Sequence, residues 1–178
     1  AVFTGITVLL VPILVWRGLD DRLAGFLLGF MAFGRIPAGL MAGYIGDHWH
    51  KQRVIALGLL TGAIGMLVLL LSKEPGLALI FLIIAMFSVG EAMSALSWAL
   101  VGDFFGRRNF ATLRGGLSSV QSLLSFGVPI YTGWVYDTTQ AYDRALAPFT
   151  VILFAASAIY WFIPRPRRSR AAVRRLTR

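Results

Sequence analysis

Cysteine is absent from this chain, and only 8 acidic residues and 2 histidines stand among its 178 positions. Without cysteine there is no disulfide framework, no thiolate metal site and no thiol nucleophile. The histidines, His48 and His50, fall together in one short link, and neither a Gly-x-Ser-Gly nor a His-Glu-x-x-His pattern occurs. We expect no enzyme activity, no metal site and no cofactor. Charge is the other scarcity. At 14% charged against 57% apolar residues, the chain has too little polar surface to cover a water-soluble globule, where about a quarter of residues are charged. It belongs in lipid.

Apolar stretches run over roughly 1–16, 23–46, 54–72, 77–101, 115–136 and 146–163, separated by charged or Pro/Gly links. Each complete stretch is near the ~20 residues that a spanning helix needs. The fold expected is an all-α membrane protein, a bundle of six transmembrane helices over 1–163, followed by an Arg-rich tail over 164–178. The first stretch covers only about 24 Å as a helix, short of a hydrocarbon core of about 30 Å. It lacks a basic leader and a small-residue cleavage site, so it reads as a span cut at its N-terminus rather than a signal peptide.

The links alternate in charge. One set holds Lys51, Arg53, Arg107, Arg108, Arg114 and the tail arginines 165, 167, 168, 170, 174, 175 and 178 against Asp47 and Asp103. The other holds Arg17, Arg22, Lys73 and Arg144 against Asp20, Asp21, Glu74, Asp137 and Asp143. The positive-inside rule places the first set and the C-terminus in the cytoplasm, which implies an integral protein of the cell (inner) membrane. A net charge of +9 also raises nucleic acid as a partner. The tail follows directly on the last span and has no aromatic residue to stack a base, so membrane lipid is the partner expected and nucleic acid is not.

Inside the spans, polar side chains are unevenly shared. Thr61 is the only one between Val54 and Leu71, and the sixth span offers Thr150, Ser157 and Tyr160, so both helices suit a lipid-facing position. The fourth span carries Ser88, Glu91, Ser94 and Trp98 on one stripe, and the fifth carries Ser118, Gln121, Ser122, Ser125 and Thr132, most of them on one face. Such serines can bond their own i−4 carbonyls, but several on one stripe beside an ionisable group favour a wet cavity. Arg35 and Glu91 are the ionisable residues deep within apolar runs. An arginine at a helix centre costs about 2.5–3.5 kcal/mol on insertion scales and needs a partner or water. Arg35 shares its face with Ala32, Gly39, Ala42 and Gly46, which points it into the bundle, and Pro37 with its flanking glycines suggests a local break in the helix. An Arg35–Glu91 ion pair that only holds helices together is one reading. A binding site built on the guanidinium is the other.

Gly34 to Gly39 (GRIPAG), GYIGDHWHKQR from Gly43, GDFFGRRNF from Gly102 and Gly133-Trp-Val-Tyr-Asp137 together resemble the C-terminal half of a major facilitator superfamily transporter. Within it they resemble the monocarboxylate transporter and oxalate–formate antiporter branch. The resemblance covers the whole chain and implies the last six of twelve helices, so the partner expected is a missing N-terminal six-helix half. It implies a secondary transporter working by alternating access on a small organic anion, a symporter or antiporter. Arg35 would bind the substrate carboxylate, Glu91 would tune charge or carry a proton, and Ser94, Gln121 and Ser125 would line the path. Met31 stands where monocarboxylate relatives carry an acid, and Gln121 with serines where oxalate–formate relatives carry a lysine. Gly43, Asp47, Lys51 and Arg53, echoed by Asp103, Arg107 and Arg108, would form a gating turn, with the Asp47 carboxylate bridging the bases of its own link. Efflux of an apolar or cationic compound, and a non-transporting membrane subunit, remain the alternatives.

Overall fold

The computed structural model describes residues 2–72 and 76–163, without the side chains of 107–109. Lys73, Glu74, the tail arginines and the side chains of Arg107 and Arg108 therefore lie outside the described residues. Helices α1 (Val2–Trp16), α2 (Asp21–His48) and α3 (Lys51–Leu71) come first. A continuous helical run Leu77–Thr139 then divides at Gly106, whose backbone sits at φ 74 and ψ 169, into α4 (Leu77–Gly106) and α5 (107–139). α6 (Tyr142–Phe162) closes the bundle. Among the described residues four helices, α2, α3, α4 and α6, are long and apolar enough to cross a membrane. α1 is equally apolar but has 15 residues, and α5 carries the polar stripe.

The helices outrun the apolar stretches because their ends find caps. Asp20 accepts from the Arg22 N–H at 3.3 Å to open α2. α1 stops at Gly18, whose positive φ of 88 lets its N–H reach the Val15 carbonyl while the Leu19 N–H bonds Leu14. That is the glycine-terminated double bond by which helix ends commonly satisfy their last carbonyls. α5 ends on Gln140 in the left-handed region, with its N–H on the Tyr136 carbonyl at 2.7 Å.

The ends of the helices pair at two opposite ends of the bundle. Arg17, after α1, donates to the Ser72 carbonyl after α3 and to Asp143 at the start of α6, which brings three links to one end. Beside it Tyr136 stacks on Tyr142, which meets Trp16 edge to face, an aromatic cluster suited to a headgroup layer. At the opposite end, Lys51 of α3 meets Asp103 of α4 at 2.8 Å.

Two expectations fail here. α3 does not simply face lipid: it lies between α4 and α6. A Cβ on Gly58 would collide with the Met93 side chain, one on Gly65 would come 2.9 Å from Met86 Cβ, and one on Gly62 would come 3.3 Å from the Gly90 backbone. With no hydrophobic force between helices in lipid, small residues that admit a neighbouring backbone decide the packing, and α3 has three of them on one side. Ser157 of α6 donates to the Ala56 carbonyl at 2.8 Å on the other side, leaving Leu57, Ile64, Leu67 and Leu71 exposed outward. Nor does Pro37 break α2. The helix runs unbroken from Asp21 to His48, since losing one hydrogen bond within 28 residues leaves the flanking turns bonded.

Candidate functional site

α2 meets α4 along Met31, Gly34, Ala42 and Gly46. Ser88 of α4 sits over Gly34 and directs its hydroxyl to the Met31 and Ile84 carbonyls at 3.1 and 2.9 Å, and Leu96 fills the space above Gly46. Arg35 is one residue round from that seam. It is not pointed into the bundle: its side chain is 44% exposed, while one guanidinium nitrogen reaches Glu91 Oε1 at 3.2 Å. Ala32 is exposed beside it and Gly39 has open space, because the seam takes the neighbouring face of α2. Glu91 is buried, with 8% of its side chain exposed, and its second carboxylate oxygen has no hydrogen-bond partner among the described residues.

A separate cavity of about 490 Å³ opens between α1, α4 and α5. Gln121 and Ser125 line it, together with Ser118 and Ser122 from the same face of α5, Thr4 of α1 and Trp98 of α4. Ser125 turns its hydroxyl back to the Gln121 carbonyl at 2.9 Å, whereas no hydrogen bond to protein occupies the hydroxyls of Ser118 and Ser122 among the described residues. Arg35, Glu91 and the exposed Ser94 are not part of this lining. The expected site residues thus fall into two groups rather than one.

The charged turn also differs from expectation. Asp47 is exposed and, among the described residues, bridges neither Lys51 nor Arg53. The link residues Trp49 and His50 are extended, so the chain reverses and the first turn of α3 sits against the end of α4. Lys51 takes Asp103 as its partner, and the Arg53 guanidinium lies 5.7 Å from the Trp161 ring centre. A Cβ on Gly43 would meet nothing within 4 Å, so that side of the last turns of α2 is open.

Sequence reasoning treats Arg114 only as a topology charge. It lines the cavity and heads the stripe continued by Ser118, Gln121, Ser122 and Ser125, at spacings of four, seven, eight and eleven residues. That helical period is visible in the chain.

The Major Facilitator Superfamily family description matches residues 1–178. The chain belongs to this superfamily. Among curated proteins it is similar to a triacylglyceride transporter of Mycolicibacterium smegmatis, with 29% identity over 148 residues, 80% of this chain and 24% of that one. It is likewise similar to the uncharacterized transporter YycB of Bacillus subtilis, with 29% identity over 142 residues, 79% of this chain and 34% of that one. The chain therefore spans about a quarter and a third of the relatives it matches. No solved structure matches it significantly. Membership makes this chain an integral membrane protein of a transporter superfamily.

Proposed function

We propose that the chain is the C-terminal six-helix half of a secondary transporter that moves a small organic anion by alternating access, with Arg35 as the cation for the substrate carboxylate. The observation that carries this reading is the Arg35–Glu91 pair. A single contact at 3.2 Å leaves most of the guanidinium donors open on a half-exposed side chain, while the acid behind it is buried. Carboxylates are held best by two parallel N–H donors of one guanidinium, so a substrate can compete with Glu91 for the same group. Protonating Glu91 would release Arg35, which couples proton and anion through one shared cation. Exposed apolar residues such as Phe33, Leu123, Phe126 and Ile130 support a second six-helix half as the covering partner.

The full-length protein, reconstituted in proteoliposomes and offered acetate, lactate, oxalate and succinate, should give saturable uptake of at least one, and Arg35→Lys should impair it although charge is kept. No saturable uptake of any of the four would overturn the reading.

A second reading is transport of an apolar compound. It is favoured by the name of the mycobacterial relative and by an apolar groove of about 470 Å³ lined by Met41, Ile45, Leu57 and Met93. Uptake of such a compound that simple carboxylates fail to inhibit would favour it.

A further inference from the structure

Among the described residues the charged residue that lines the α1–α4–α5 cavity is Arg114, and no acidic side chain lines it. Among the described residues Arg114 has no ion-pair partner. Its guanidinium is placed instead by two rings, with centres 5.6 Å away at Trp98 and 6.0 Å away at Phe110. Arg35 differs, because Glu91 already balances part of its charge. Aromatic rings attract a cation without accepting conventional hydrogen bonds from it, so the N–H donors of a guanidinium held beside rings remain available to a ligand.

We propose that Arg114 is an anion-binding subsite, distinct from Arg35, which takes the carboxylate of an organic acid with an apolar or aromatic body. This deepens the organic-anion reading above and rests on it. The surrounding chemistry divides accordingly. Ser118 and Ser122 present hydroxyls one and two turns along α5 from the guanidinium, while Val8, Phe126 and Pro129 give the cavity an apolar wall. At about 490 Å³ the space falls in the range of about 300–1,000 Å³ usual for small-molecule sites, far more than a two-carbon acid fills. Among the described residues the charged side chain in the lining is a cation, which favours an anion over a cation there.

A merely structural role for Arg114, clasping α4 to α5 across the Gly106 bend, is separated by comparing charged and neutral ligands of one shape. The probes are benzoate and benzamide, titrated against the full-length protein in neutral-lipid nanodiscs by calorimetry. We expect Arg114→Gln to weaken benzoate about tenfold to hundredfold, the loss of a charge-assisted pair, and to leave benzamide within about twofold. Equal weakening of both probes would make Arg114 a clasp and overturn the subsite. Repeating the titration with anionic lipid tests the other source of oxyanions. Benzoate affinity that Arg114→Gln leaves unchanged, with reduced retention of phosphatidylglycerol, would assign the group to lipid phosphate and also overturn it. If acetate, lactate, oxalate or succinate is transported while benzoate does not bind, the subsite falls and the organic-anion function stands.

Discussion

Lys51 at the start of α3 is held by Asp103 near the end of α4, 2.8 Å away, while Asp47, four residues before Lys51, takes no part. The pair ties the α2–α3 link to the α4–α5 corner at one end of the bundle. Both side chains are partly exposed, at 24% and 45%, so the attraction is screened by solvent. A double-mutant cycle of Lys51→Gln and Asp103→Asn, read by thermal unfolding in detergent, should give a coupling below about 1 kcal/mol that shrinks with added salt.

Asp47→Asn should leave that coupling unchanged. If Asp47 serves the gate by reaching a helix end in a covering half, its loss should raise labelling of single cysteines on the Lys51 side of the cavity, which this cysteine-free chain makes simple to place. Labelling identical to the parent would reduce Asp47 to a topology signal.

Gly106 and Gly102 offer a controlled comparison at the α4–α5 bend. Gly106 lies at φ 74, ψ 169 with nothing within 4 Å of a Cβ, so the obstacle to a side chain there is purely backbone strain. Gly106→Ala should destabilise by about 1–3 kcal/mol. Gly102 is helical, and a Cβ would meet only the Phe110 ring at 3.5 Å, so Gly102→Ala should be neutral or stabilising by up to about 1 kcal/mol. Equal melting temperatures for the two variants would contradict the bend.

At the other end, Arg17 is buried, with 3% of its side chain exposed, and depends on Asp143, whose side chain is 37% exposed. Asp143→Asn strands a buried cation and should destabilise by about 1–3 kcal/mol. Arg17→Leu should be milder, because it removes the buried charge and leaves only an acid that water can reach. Thermal scans placing Arg17→Leu below Asp143→Asn would count against a pair governed by desolvation.

Glu91→Gln carries a permanent neutral group where protonation would otherwise be needed to free Arg35. Anion uptake by the parent should rise as pH falls, and the variant should show the acid-limb rate at all pH values with anion exchange retained. A variant whose pH profile overlays the parent would leave Glu91 as a helix fastener.

Much of the architecture is legible along the chain. The six apolar stretches, the alternating links and the polar stripe of α5 are properties of residue order, and the helices begin and end within about five residues of the stretches except at the start of α5, which begins eight residues earlier at the Gly106 bend. Arg35 and Glu91 stand out for the same reason, as charges in runs that have no others. What residue order leaves open is azimuth. Shared spacing with small residues points Arg35 into the bundle, yet the seam with α4 runs along Met31, Gly34, Ala42 and Gly46 and leaves the arginine at its rim.

Transfer of each residue between water and hydrocarbon depends on that residue and its immediate run, so span positions, link charges and membrane residence were determined by the sequence alone. Which helix faces meet depends on how small residues of two distant segments allow their backbones to approach. The tertiary structure therefore decided that α3 lies between α4 and α6, that Lys51 finds Asp103 rather than Asp47, and that Arg114 heads the cavity while Glu91 answers Arg35. Each is a contact between residues far apart in the chain, set by helix crossing geometry that no single stretch encodes.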